Sequence, residues 1–291
     1  MSAHKVLGVV GGSGVYEIGG LEDARWETVS SPFGDPSDQL LMGTVGGQDV
    51  VFLPRHGRGH LQSPSSINYR ANIDVLKRAG VTHLLSVSAC GSFREHLTPG
   101  TFVIVDQFID RTSTRDKSFF GPGLVAHVSM AHPVCAALGE IVEAAAAAEG
   151  IPAVRGGTYL AMEGPQFSSL AESEMYRAWG CDVIGMTNMP EAKLAREAEL
   201  HYATVAMVTD YDCWHEEHGA VEVTDILKVL NDNADKARAL IKRVLPMLHD
   251  SAAPCDQVCD RVLDTAIVTA PDAWDQGMLE RLSAVAGRLR P

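Results

Sequence analysis

The chain has 291 residues, 46% of them hydrophobic and 21% charged, with 37 acidic against 24 basic side chains and a formal net charge of −13. That composition gives a sizeable core and room for one large α/β domain or two small ones. A negative field repels nucleic acid and anionic membrane, so neither is an expected partner; it repels phosphate too, so an anion site must be built locally from oriented N–H groups and one or two cations.

Val6–Val10 is a short β-branched run ending in Gly11-Gly12-Ser13-Gly14, a buried strand that feeds a tight loop. Val50–Leu53 is a second such run and ends at Pro54-Arg55-His56-Gly57. From Asn68 to Ala79 the pattern is helical, with Ile73, Leu76 and Ala79 on one side. His83–Ser88 reads as a strand ending in Ala89-Cys90-Gly91-Ser92, and Thr101–Val105 as another after Pro99-Gly100. Residues 133–149 are alanine-rich and helical, stopped by Gly150 and Pro152. Strands at Thr158–Met162 and Val183–Met186 flank a helix at Ser168–Trp179, and Pro190 opens a helix that runs through residue 199. Ala203–Val208 is a strong strand and Val223–Leu248 a long amphipathic helix.

This alternation predicts an α/β fold: a single domain over residues 1–250 with a central mixed β-sheet covered by helices. The break at Ser251-Ala252-Ala253-Pro254 introduces a C-terminal helical extension over residues 251–291. The six cysteines are scattered, mostly within apolar segments. Cys255 and Cys259 lie four apart, which is not a C-x-x-C zinc spacing, and no second pair accompanies them. Reduced thiols and no metal are therefore expected, and with no leader or spanning apolar run the chain is expected to be cytoplasmic.

Functional groups in such sheets gather where strands end. The Gly11–Gly14 turn lets a ligand approach the backbone and offers the Ser13 hydroxyl, although glycine-rich strand ends are common. Arg55 supplies a planar fork suited to phosphate oxygens and His56 a further donor; the same run also fits an exposed basic turn. Ser86 and Ser88 share one face, with free N–H groups beyond them, or simply form a turn. Asp210 and Asp212 follow an apolar strand two residues apart, so they project alike and one pKa should rise through crowding. Such a pair presents one donor and one acceptor, as the N7 and 6-amino group of adenine require. Metal binding, glycoside chemistry and plain solvated aspartates fit the spacing equally well.

Gly11–Gly14, Pro32–Asp38 (PFGDPSD), Arg55-His56-Gly57, Asn68–Asn72 (NYRAN) and Ala89–Ser92 are followed by Asp106–Thr112 (DQFIDRT) and Glu163–Ser168 (EGPQFS). Gly185-Met186-Thr187, Pro190-Glu191 and Thr209–Trp214 (TDYDCW) complete the series. In this order, over residues 6–245, the strings resemble the trimeric purine-nucleoside phosphorylase family, most closely its branch that acts on 5′-methylthioadenosine. The resemblance implies that phosphate is held by Ser13, Arg55, His56, Ser88, the backbone of Ala89, and Thr187. Met186 would lie against the ribose, Phe167 on the base, and Asp210 and Asp212 at the purine edge. Ser168, Val223 and Ile226 would set specificity, the last two as an apolar slot for a methylthio group. His127 would reach the 5′ end of a neighbouring subunit's substrate in a homotrimer, or a dimer of trimers. On composition alone Met186, Phe167, Val223 and Ile226 read as ordinary apolar filling and His127 as a surface histidine.

The implied reaction is phosphorolysis of methylthioadenosine, or of 5′-deoxyadenosine, with phosphate as co-substrate and no cofactor. Asp210 would protonate N7 while the anion attacks C1′ through an oxocarbenium-like transition state. The competing readings are a hydrolytic nucleosidase, a 6-oxopurine or methylthioinosine phosphorylase, and a non-catalytic nucleoside-binding protein.

Overall fold

The computed structural model describes residues 4–12, 14–215, 223–252 and 255–289, the side chains of 223–228 excepted. Its strands are β1 (Leu7–Gly11), β2 (Glu22–Glu27), β3 (Leu40–Val45), β4 (Gln48–Pro54), β5 (His83–Ser92) and β6 (Phe102–Val105). β7 (Gln107–Asp110), β8 (Ala153–Arg155), β9 (Thr158–Ala161), β10 (Val183–Gly185) and β11 (His201–Asp210) complete one mixed sheet. The helices are α1 (Tyr69–Arg78), α2 (Ala136–Ala148), α3 (Leu170–Ala178), α4 (Asn188–Glu197), α5 (Val223–Asp250) and α6 (Gln276–Arg281).

β5 is the centre of the sheet. It pairs in parallel with β1 and β11, and its last residues pair antiparallel with β10. β1 continues to β4 in parallel, and β4, β3 and β2 form an antiparallel meander. On the other side β11 leads through β6 to β8, while β10 leads through β9 to β7. The central strands are buried on both faces, as continuous apolar runs require, and alternate residues enter two different cores. Val10, Leu84 and Val208 join Ile73 and Leu76 of α1 and Leu194 of α4. Leu7, Leu85 and Val205 join Leu138 and Val142 of α2 and Ile241 and Val244 of α5. Each such side chain contributes about 1.5–3 kcal/mol by leaving water.

Local signals start the helices where the sequence places them. Asn68 caps α1 by accepting the Ala71 N–H at 3.1 Å. Ser169 and Glu172 form a reciprocal capping box on α3. Among the described residues no helix is long and apolar enough to cross a membrane. Residues 255–289 hold α6 and three 3₁₀ turns, and Leu263, Leu279, Leu282 and Val285 pack into the core that faces α1 and α4.

β5 and β11 run further than the apolar pattern alone indicates. β5 includes Ala89–Ser92, expected as a loop, and β11 includes Asp210 itself. The charged edge strand β2, the half-exposed β7 and the three-residue β8 lack an apolar period and owe their form to their pairing partners.

Gly185 is fixed by close approach. A Cβ there would stand 2.7 Å from Tyr159 Cζ and closer still to the hydroxyl, and the Tyr159 ring is wholly buried. Gly185→Ala should therefore lower stability by about 1–3 kcal/mol in urea unfolding, the range for overpacking. An unchanged midpoint would mean that the ring is free to move aside.

Candidate active site

A cavity of about 550 Å³ lies where β1, β4, β5, β10 and β11 end. Its lining includes Arg55, His56, Ser88, Ala89 and Thr187 as well as Phe167, Met186, Asp210 and Asp212. Nine residues nominated from distant parts of the sequence thus share one space.

Arg55 follows β4, and its backbone N–H donates to Gly11 O at 2.9 Å. Its side chain is 1% exposed and meets Glu191 of α4, 3% exposed, through Nε at 2.9 Å and Nη2 at 3.3 Å. Nη1 donates to Val87 O at 2.9 Å, and Nη2 to Ser86 Oγ at 2.6 Å and Val10 O at 3.2 Å. The guanidinium therefore ties the end of β1 and the middle of β5 to β4 and to a helix. One N–H, on Nη1, has no partner among the described residues. The planar fork expected for phosphate is turned mostly toward Glu191, because a buried cation without a counter-charge would be too costly.

His56 is also different from a simple cationic donor. Its Nδ1 lies 2.8 Å from Gln62 O, and its ring stacks on His60 with centroids 4.2 Å apart. Burial, aided by the Arg55 and His60 charges, pushes its pKa down to about 4. At neutral pH the ring is uncharged, Nδ1 carries the proton, and Nε2 is an acceptor. The Ser88 hydroxyl lies 2.9 Å from Asn188 Oδ1, and Asn188 Nδ2 donates in turn to Tyr202 Oη at 2.9 Å. Thr187 stands just before α4, where its hydroxyl makes no capping bond; Met189, extended at φ −122° and ψ 132°, separates it from the regular helix that follows.

In the same cavity, Asp210 Oδ2 accepts from Thr209 Oγ1 at 2.7 Å, and Oδ1 accepts from the Asp212 backbone N–H at 2.8 Å. Asp212 has φ of 54°, a left-handed turn that closes this short loop. Gly91 makes the approach possible, since a Cβ on it would lie 2.9 Å from Asp210 Oδ1 and 3.3 Å from the Asp212 nitrogen. Both carboxyl pKa values are raised, and burial is the largest cause in each. Crowding by Asp212, the cause expected from the sequence, is the smallest of those acting on Asp210. The pair is joined by a backbone N–H, and desolvation favours the acid form.

Ser168 lies beside the cavity, its hydroxyl 3.8 Å from Met162 Sδ, while Phe167 is 45% exposed. Exposed His127 is outside the cavity, in a separate hollow with Lys117 and Glu197. Ser13 and the side chains of Val223 and Ile226 lie outside the described residues. Leu230 and Ala234, four and eight residues beyond Ile226 on α5, do line the cavity.

Sequence reasoning missed the supporting shell. Glu191 stood in a matching string without a role, and Asn188, Thr209 and Arg115 were not singled out. Arg115 Nη1 donates to Met189 O at 2.7 Å and Nη2 to Glu163 O at 2.7 Å, which fixes the loops on either side of Met186. Nothing local in the sequence separates a buried, paired arginine from a surface one.

Residues 6–246 match the family model described as the phosphorylase superfamily. An S-methyl-5'-thioadenosine phosphorylase of Rhodospirillum rubrum is 66% identical over 284 residues, which cover 98% of this chain and 97% of that one. A crystal structure of methylthioadenosine phosphorylase from an antarctic soil metagenomic library superposes with a TM-score of 0.91 at 43% identity, covering 97% of this chain and 99% of that one. Methylthioadenosine phosphorylase from Schistosoma mansoni in complex with adenine gives 0.83 at 36% identity, over 90% and 98% of the two chains. With its own strand ends converging on one anion-and-acid cavity, the chain belongs to the phosphorylase superfamily, among the methylthioadenosine phosphorylases.

Proposed function

We propose that the chain splits S-methyl-5′-thioadenosine with inorganic phosphate, releasing adenine and 5-methylthioribose 1-phosphate. One observation carries the reading: the desolvated acids Asp210 and Asp212 share a cavity with the anion end built around Arg55 and Thr187. A hydrolase would have no use for the anion end, and a 6-oxopurine would need a permanent donor opposite O6.

A phosphate oxygen attacks C1′ as the C1′–N9 bond breaks, and the departing electron pair is neutralised when Asp210 gives its proton to N7. Asp212 accepts from the 6-amino group. Phosphate enters as HPO₄²⁻, and the proton it loses on forming the ester restores Asp210, so the cycle balances. Neutral His56, with Nδ1 held by Gln62 O, offers Nε2 to the P–OH group and orients the nucleophile. The Nη1 N–H of Arg55 that has no partner among the described residues, the backbone near Ala89 and the Thr187 hydroxyl complete the cradle. Holding both reactants in one cavity makes the attack effectively intramolecular.

In this reading phosphate is the co-substrate, and no cofactor takes part. Residues 1–250 carry the chemistry and 251–291 are an appendage to it. The enzyme works in the cytoplasm as a homotrimer, with His127 presented to a neighbouring subunit's substrate, which accounts for its position outside its own cavity. Val223, Ile226 and Ser168 set the preference at the 5′ group and base.

Adenine release from methylthioadenosine should require phosphate, and inosine should be a poor substrate under the same conditions; release without phosphate would establish hydrolysis instead. Asp210→Asn should lower kcat by about 100-fold or more, the scale of general-acid loss. Because the acid form is the active one and its pKa is raised, wild-type kcat should fall as pH rises through that value. A variant with near-normal turnover would remove Asp210 from the mechanism.

A further inference from the structure

At the end of β11 opposite Asp210, four side chains from three regions of the chain converge. They are Cys135 at the N-cap of α2, His201 at the first residue of β11, and Cys255 and Cys259 beyond α5. Their ligand atoms all lie within 4.8 Å of one another. Cys135 Sγ is 3.4 Å from His201 Nδ1 and 3.7 Å from Cys255 Sγ. A tetrahedral zinc ion with Zn–S of about 2.3 Å and Zn–N of about 2.0 Å sets sulfur pairs about 3.8 Å apart and sulfur–nitrogen pairs about 3.5 Å apart. A disulfide needs sulfurs at about 2.05 Å. We propose that Cys135, His201, Cys255 and Cys259 form a structural Zn²⁺ site of the Cys₃His type, which pins the C-terminal segment to the sheet.

The surroundings suit such an ion. The Cys135 side chain makes no capping bond, so its sulfur is available, and the start of a 13-residue helix favours a thiolate there. Three thiolates, a neutral imidazole and Zn²⁺ sum to one negative charge, and Arg196 Nη1 stands 3.2 Å from Cys259 Sγ to balance it. His83 stacks on the His201 ring at 4.4 Å and 11°, which fixes the plane of the ligand. Gln257 holds the intervening loop in place: its Oε1 accepts the Ala136 N–H at 2.7 Å and its carbonyl accepts Arg196 Nη2 at 3.4 Å. A neighbouring cavity of about 470 Å³, lined in part by Cys135, His201 and Cys255, gives the ion a way in. Soft thiolate and imidazole donors in a closed tetrahedron select zinc over calcium or magnesium.

The expectation of no metal rested on the local spacing of Cys255 and Cys259, whereas the partner Cys135 is 120 residues from Cys255. Only the fold assembles the set. It lies a whole strand away from Asp210, roughly 30 Å at the rise of extended chain, so the ion takes no part in the reaction. On binding, the protons of the three thiols pass to solvent.

The test is elemental analysis of the full-length protein, purified without chelator or metal-affinity steps. About one zinc per chain is expected, with six thiols titratable after denaturation without reductant. Cys259→Ser should lower zinc affinity by about 100-fold or more while kcat for adenine release is unchanged. Stripping zinc should expose residues 251–258 to protease, and added Zn²⁺ should restore protection; Co²⁺ in its place should give the intense visible bands of tetrahedral thiolate coordination. Protein that neither carries nor takes up zinc, that holds iron there, or that yields fewer than six thiols because two form a disulfide, would overturn the proposal. These readouts do not depend on which nucleoside is cleaved. The metal content of the wild-type chain decides the matter even if the variant fails to fold.

Discussion

Arg55 is a cation enclosed by protein, and its neutralisation by Glu191 is the constraint on which the rest of the site depends. Removing either partner of such a pair leaves an uncompensated buried charge, a loss of about 3–5 kcal/mol. The guanidinium also gathers Val10 O, Ser86 Oγ and Val87 O, so the end of β1, the middle of β5 and the start of α4 are held in register. The anion end is therefore rigid but nearly neutral. In a chain of net charge −13, the proposed phosphate site would offer backbone N–H groups, the Thr187 hydroxyl and one guanidinium N–H, with an uncharged His56 beside them. On that proposal, oriented dipoles inside the cavity perform the task that free cations would perform at a surface.

The same economy of charge governs the purine end. Burial is the largest of the causes that raise the Asp210 pKa, and Gly91 on β5 leaves room for its carboxyl group. Thr209 and the Asp212 N–H each bind one carboxyl oxygen, so the Asp210 side chain is oriented before a substrate arrives. Strand pairing sets this up: β11 runs beside β5 over nearly its whole length, and an irregularity between Val208 and Asp210 turns the acid toward the cavity. The fold thus couples the proposed proton donor on β11 to the proposed anion cradle at β1, β4 and β5 through the shared central strand.

Much of this was legible in the chain itself. Short β-branched runs ending in glycine located β1, β4 and β5, and an apolar 3.6-residue period located α1, because these elements bury their faces against a common core. The nine nominated residues that meet in the cavity were identified at strand ends or by their place in family strings. What stayed hidden depends on distant partners. β2 and β8 have no period of their own and exist through pairing. The engagement of Arg55 with Glu191, and the low pKa of His56, follow from burial that no local pattern records. Cys255 and Cys259 read as isolated thiols because Cys135 and His201 reach them only after the sheet and α5 are in place.

The central claim is that desolvation keeps Asp210 protonated where an ordinary aspartate is ionised. Carboxyl ¹³C NMR of protein labelled at aspartate, followed across pH with Asp210→Asn to assign the resonance, measures it directly. The account expects the Asp210 signal to titrate clearly above the ordinary aspartate value of about 3.9. A midpoint at or below that value would contradict it.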